Sequence, residues 1–364
     1  MALLPGKLRI AATAVLVLGL AACSSSAADT SASSSAPASS GSTIKTVRLG
    51  FFPNLTHGPA LVGLQEGLFK SALKPLGLTV TPTAFNAGPD AVSALFGDSL
   101  DITYIGPNPT INAYAESQGQ AVKVIAGAAS GGAALVVRPG IDSAEDLKGR
   151  KFATPQLGNT QDVAFRAWLK AQGLSADTEG GGDVSIAPQA NAEGLAAYSA
   201  GQVDGAWVPE PFVSQYVKAG AKVLVDEASL WPDGKFVTTN VVVRTKFLQE
   251  HPDAVAAFLA GHLAALKEID EHPKASAEAA NATLKSLTGS ELESDVLASA
   301  WKAVDFTADP LPATLKKSAD DAISVGLLDA DKVEAAGGLP GTLYDLTLLN
   351  KALSEAGEQE VATS

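Results

Sequence analysis

The sequence predicts an α/β fold of two doubly wound lobes joined by a two-segment hinge. Three observations predict it. Through the middle of the chain short apolar runs alternate with amphipathic stretches, the pattern of a parallel sheet covered by helices on both faces. Two passages, VSALFGDSLDITYIGPNP from Val92 and LAAYSAGQVDGAWVPEPF from Leu195, match at a constant offset of 103, so each lobe owns a helix, a turn, and a strand with a Pro-rich end. Two nearly identical strands, ALVVR at 134–138 and NVVVR at 240–244, flank a block of about 100 residues with its own strand-helix order. One strand would carry the chain out of the first lobe and the other return it, leaving a cleft that closes by hinge motion. The expected division is 44–137 with 240–356 for the first lobe and 138–239 for the second.

In the first lobe VRLGFF over 47–52 reads as a buried strand, followed by a loop and a helix over 59–69 with Leu61, Leu64 and Leu68 on one face. A strand over 78–85, a short helix over 89–96 and a strand over 101–105 come next. In the second lobe the pattern gives strands over 151–154, 184–187, 205–208 and 222–226, with helices over 160–172 and 192–200. From Pro252 the chain turns helical, over 252–271, 273–287, 290–304, 311–327 and 344–355, and these helices would wrap the first lobe.

Ahead of this body, Lys7 and Arg9 precede a 13-residue apolar run, Ile10 to Ala22, and the segment closes in Leu20-Ala21-Ala22-Cys23. Its length suits a signal peptide and is too short to span a bilayer. Residues 1–22 read as a lipoprotein leader, and Cys23, the only cysteine, reads as the lipidated residue that tethers the protein to a membrane. The stretch 23–43 is almost all Ser and Ala after Cys23, offers no large side chain to bury, and reads as a flexible linker.

Composition narrows the partners. Losing Lys7 and Arg9 with an acid-free leader takes the formal charge from −13 to −15, which argues against nucleic acid and against adsorption to anionic lipid. One cysteine excludes disulfides within the chain, and nothing resembles a Cys/His metal cluster. No metal and no cofactor is expected. Nor is there a nucleophile elbow, a P-loop or a zincin motif, so an enzyme is not expected either.

In open α/β sheets ligands sit beyond the carboxyl ends of strands, and the candidate residues lie in such loops. Gly158, Asn159 and Thr160 open a helix, with Asn159 or Thr160 able to cap it; free N–H groups and the positive end of the helix dipole make an anion site without any basic side chain. Asn54, Leu55, Thr56 and His57 precede one further helix start, and Gly106, Pro107 and Asn108 another. His57 is open to three readings: a hydrogen-bond donor to a ligand, a general base, or a turn residue. Ser130 and Gly131 lie beside the outgoing hinge strand. Trp207 and Glu210 end a strand of the second lobe, where an indole is either core or cleft wall; cleft wall, facing Tyr104, is the expectation.

These residues resemble the extracytoplasmic solute-binding proteins of ABC importers for nitrate, sulfonates and taurine. The likeness runs over about 45–245, through VRLGFFPNLTHGPALVGLQEGLF, ALFGDSLDITYIGPNPTINAY, DLKGRKFATPQLGNTQDVAFRAWL, AAYSAGQVDGAWVPEPF and TTNVVVRTKFL. It implies a periplasmic-binding-protein-like type II fold, a monomer that delivers a small anionic ligand, and a membrane permease with a cytoplasmic ATPase as partners. With its lipobox the chain is similar to Gram-positive members, lipid-anchored outside the cell membrane. The loops named above are where the resemblance puts ligand contacts. Their poverty in Lys and Arg suits an aliphatic sulfonate or taurine; relatives on this scaffold bind nitrate, bicarbonate, phosphonates or thiamine-pyrimidine precursors. Thiamine-pyrimidine synthases share the scaffold but use a cysteine-rich iron site that this chain cannot build.

Overall fold

The structure, a computed structural model, describes residues 44–362. The leader 1–22, the linker 23–43 and Cys23 lie outside the described residues. The first lobe begins with β1 (Thr46–Phe51), then α1 (Gly58–Gln65) and α2 (Leu68–Leu73), two helices where the sequence predicts one. It continues through β2 (Thr79–Ala84), α3 (Gly88–Phe96), β3 (Ile102–Ile105), α4 (Pro107–Glu116) and β4 (Val122–Gly131). The chain then builds a second sheet from β5 (Ala133–Val137), β6 (Lys151–Thr154), α5 (Thr160–Ala171), β7 (Ser185–Pro188), α6 (Asn191–Ser199), β8 (Gly205–Pro209), α7 (Phe212–Lys218) and β9 (Lys222–Asp226). It returns with β10 (Val237–Arg244), followed by α8 (Thr245–Glu250), α9 (Pro252–Glu271), α10 (Pro273–Thr288), α11 (Ser294–Lys302), β11 (Val304–Phe306), α12 (Pro312–Ser324), α13 (Ala330–Ala335) and α14 (Thr347–Ala356).

The first sheet has the order β11-β4-β10-β3-β1-β2 and the second β7-β6-β8-β5-β9. In each, three neighbouring strands are parallel, as the alternation predicts, and the rest of the sheet is antiparallel to them or to each other: β10 runs against β3 and β4, and β5 against β8 and β9. The two strands of like sequence, ALVVR and NVVVR, therefore hold equivalent places in opposite sheets, each beside the third parallel strand. They do not themselves cross between the lobes. The crossings lie just before them, at Gly131-Gly132 and through 227–236, so Ala133–Val137 belongs to the second sheet rather than the first. Gly132 adopts φ +70, and a Cβ there would lie 2.6 Å from Val304 Cγ2, so the first crossing requires glycine.

Both faces of each sheet are covered. Val47, Leu49, Tyr104, Val241 and Val243 pack with α1, α2 and α9 on one face of the first sheet, and Ile105, Val124 and Val242 pack with α4 and α12 on the other. In the second sheet the period of two sends Ala206 and Val208 to one core and Trp207 to the other, beside Phe152, Phe165 and Leu169. The helix expected over 290–304 ends at Lys302; Val304–Phe306 instead pairs with the outer edge of β4, whose backbone groups would otherwise lack partners. Among the described residues no helix is long and apolar enough to cross a membrane.

Candidate functional site

Five helix starts meet at one small cavity of about 20 Å³ between the sheets. His57, Gly106 and Asn159 are the N-cap residues of α1, α4 and α5, and Asn191 opens α6. Asn86, just ahead of α3, adds a fifth. Phe52, Asn54, Thr56, Thr160, Gln161, Pro209 and Thr238 complete the wall. Each start leaves backbone N–H groups without helical partners and brings the positive end of its dipole, so the cavity favours negative charge. No Lys, Arg, Asp or Glu side chain lines it among the described residues.

The loop ahead of α1 is held from both sides. Asn54 is extended and buried, and its carbonyl accepts the His57 N–H at 3.0 Å. The Leu55 N–H donates to the carbonyl of Glu210 at 3.0 Å, a hydrogen bond from one lobe to the other. His57 lies against the Phe52 ring, and its Nδ1 accepts the Phe52 N–H at 3.2 Å. Complete burial lowers the His57 pKa to about 3, so the imidazole is neutral and carries its proton on Nε2. Its Nε2–H is the one ring group left to donate.

On the facing lobe, Thr160 reaches as close as the opposing backbone allows: a Cβ on Gly106 would lie 2.4 Å from Thr160 Oγ1. Thr160 Oγ1 and Asn191 Oδ1 are buried without a hydrogen-bond partner among the described residues, and both residues line the cavity. Such groups cost free energy until a ligand or water meets them. Asn159, one of two residues able to cap the helix, makes no side-chain cap bond and lines the cavity; the Gly158 N–H just before it is met at 3.0 Å by Asp162.

Several expected site residues lie elsewhere. Trp207 is core: it is fully buried between Phe165 and Trp168, and its Nε1 donates to Glu227 at 2.7 Å. Strand parity decides this, since the neighbours of Trp207 face the other side of the sheet. Tyr104 likewise is core and hydrogen-bonds His262 at 2.8 Å. Asn108 donates to the Ser318 carbonyl on α12, and Pro107 is buried at the first turn of α4. Ser130 and Gly131 brace the first crossing, where Thr238 Oγ1 donates to the Gly131 carbonyl at 2.6 Å. The Leu55 side chain is buried in the first core. Glu210 turns its carboxylate away, onto the N–H and hydroxyl of Ser214, toward a separate cleft of about 610 Å³; burial pushes its pKa up to about 7 against those two bonds. Asn86, Gln161, Asn191 and Thr238 carry no sequence signal beyond polarity next to a predicted element.

Comparison with known proteins agrees with this architecture. A Bacillus subtilis (strain 168) protein named as an aliphatic sulfonates-binding protein is 29% identical over 223 residues, 59% of this chain and 63% of that protein. The taurine-binding periplasmic protein of Escherichia coli (strain K12) is 32% identical over 200 residues, 55% of this chain and 59% of its own. The matches thus span less than two thirds of the length of these relatives. Among solved structures, the alkanesulfonate-binding protein SsuA from Xanthomonas axonopodis pv. citri, bound to MOPS, superposes with TM-score 0.66 at 20% identity, covering 81% of this chain and 98% of that one. The periplasmic nitrate-binding protein NrtA from Synechocystis PCC 6803 gives TM-score 0.66 at 16% identity, covering 86% and 89%. The fold is the two-lobed type II fold of periplasmic binding proteins. The model of the NMT1-like family matches residues 40–284, more than half of the chain, and the protein belongs to that family.

Proposed function

We propose that this protein is the ligand-binding component of an ABC importer, tethered outside the membrane through Cys23, and that it takes the singly charged sulfonate group of a small solute, an aliphatic sulfonate or taurine, between its two lobes. The observation that carries this reading is the convergence of five helix starts on a cavity with neutral donors only. His57 Nε2–H, the Thr160 hydroxyl and the side-chain amide N–H groups of Asn54, Asn159 and Asn191 donate to the oxygens. A weakly basic monoanion needs no counter-cation there, whereas a phosphonate dianion would want a cationic donor. The cavity has room for about one water-sized group, so the ligand enters as the lobes part and its head group sets how far they close again. The names of the relatives, one for aliphatic sulfonates and one for taurine, support the substrate class.

In this reading the two sheets, taken as 44–132 with 237–362 and 133–226, are the moving bodies, a monomer suffices, and a permease with its ATPase receives the ligand. The test is calorimetry on the leaderless body with ethanesulfonate, taurine, nitrate, methylphosphonate and a pyrimidine. Binding of a sulfonate at least tenfold tighter than methylphosphonate at pH 8 is expected. Binding of the pyrimidine alone would refute the reading.

A further inference from the structure

The start of α5 carries an acid where an anion site should not have one. Asp162 sits in the first turn of α5, two residues after Thr160, and is completely buried. Its carboxylate holds the loop: it accepts the Gly158 N–H at 3.0 Å and the Thr154 hydroxyl at 2.8 Å, and so presents Asn159 and Thr160 to the cavity. Left alone, that charge would offset the positive end of the helix and repel any anion beside Thr160. Arg166, one turn on and also buried, places its Nε 3.1 Å from both carboxylate oxygens, while its Nη1 donates to the carbonyls of Asp177 and Ala176 at 2.7 and 3.3 Å.

Stability alone does not account for this pair. Buried ion pairs are commonly no better than apolar residues of the same volume, and Arg166 Nη2 is itself buried without a partner among the described residues. We infer that Arg166 is a positioning and specificity-determining residue that acts through Asp162: it cancels the acid that shapes the loop, so that the loop keeps its form and the N-terminus of α5 still favours an anion. The inference rests on the proposed anionic ligand and adds a residue that never touches it.

Four variants separate charge from structure: Arg166→Gln, Arg166→Lys, Asp162→Asn and the double variant Asp162→Asn with Arg166→Gln. Each is titrated with ethanesulfonate and with nitrate by calorimetry, beside circular dichroism for folding. Arg166→Gln should weaken anion binding by about 100- to 200-fold, the effect of one like charge about a helical turn away at an effective dielectric constant of about 20. Arg166→Lys, which keeps the charge, should stay within about threefold of wild type, and so should the double variant. Asp162→Asn, whose amide oxygen can still accept the Gly158 N–H, should bind no more weakly than wild type. A purely structural pair would instead weaken all four. Wild-type affinity in Arg166→Gln, or a double variant as weak as Arg166→Gln, would overturn the inference while leaving the proposed function intact. Should Arg166→Gln fail to fold, a tenfold loss in Asp162→Asn would overturn it equally well. Wild-type protein that binds neither probe nor taurine would overturn this inference and the proposed function together.

Discussion

In the proposed reading, His57 and Thr160 attract an anion without a cation. The imidazole is buried and neutral, its Nδ1 is committed to the Phe52 N–H, and only Nε2–H is left to donate. Affinity for ethanesulfonate, which does not titrate, should therefore be flat from pH 5 to 8 in a Glu210→Gln background, where the neighbouring acid of pKa about 7 no longer intrudes. Binding that tightens as the pH falls through the ordinary histidine range would mean that His57 gains a proton in the complex. Thr160→Ala removes a hydroxyl that has no other partner, so it should cost about 1–3 kcal/mol of binding to a charged ligand and nothing in folding. Calorimetry together with thermal denaturation checks both halves. That His57, Asn159 and Thr160 line the cavity was legible in the sequence, because a loop that opens a helix after a strand has few structural duties for its polar side chains. Asn191 and Thr238 were not legible: a lone Asn or Thr beside an element carries no mark of the direction it faces until the chain is folded.

Strand parity is the lesson of the elements. Trp207 ends a strand at a Pro-rich turn and reads as cleft wall, yet one step along β8 turns it from the side of Ala206 and Val208 into the opposite core. Trp207→Phe should destabilise the fold by about 1–3 kcal/mol, because Glu227 loses its donor, and should leave a ligand-dependent change in tryptophan emission in place. That signal belongs to Trp231, in the second crossing, where Lys317 of α12 lies 4.5 Å above the ring and would move away as the lobes part. Loss of the signal in Trp207→Phe but not in Trp231→Phe would reverse this assignment. The first crossing is as specific. Gly132→Ala forces an L side chain into a left-handed conformation against Val304, and should cost about 1–3 kcal/mol in denaturant midpoints. The like sequences of β5 and β10 were legible as a matched pair, but their exchange between sheets was not, since a β-branched run fits either sheet equally well.

Across the whole molecule four buried groups oppose one another in pH. Burial lowers His57 to about 3 and His262 to about 4, the latter against its bond to the Gly127 carbonyl, and raises Glu210 and Glu227 to about 7. Each neutral imidazole contributes stability that is complete above about pH 6.5 and is lost as the pH falls toward its folded value; each protonated carboxyl contributes stability that is complete below about pH 4.5 and is lost as the pH rises to about 7. The slopes cancel between about pH 4.5 and 6.5, so stability measured by denaturant should be level there and fall in more acid solution. Glu227→Gln removes one of the two acids and should tilt the plateau upward with pH by about 1.4 kcal/mol per unit. A plateau that stays level would show that Glu227 is not protonated in the folded state. At this scale the alternation of strands and helices, the repeat at offset 103 and the paired hinge-side strands were enough to read two doubly wound lobes, because periodicity is a property of the chain; the lobe boundary was not, because it depends on which sheet claims a strand. The most direct test of the central claim, an anion held between the lobes by neutral donors, is a crystal structure of the leaderless body with ethanesulfonate. The account predicts sulfonate oxygens about 2.7–3.2 Å from Thr160 Oγ1 and His57 Nε2. A sulfonate seated instead in the cleft beside Glu210, or bound through a lysine or arginine, would contradict it.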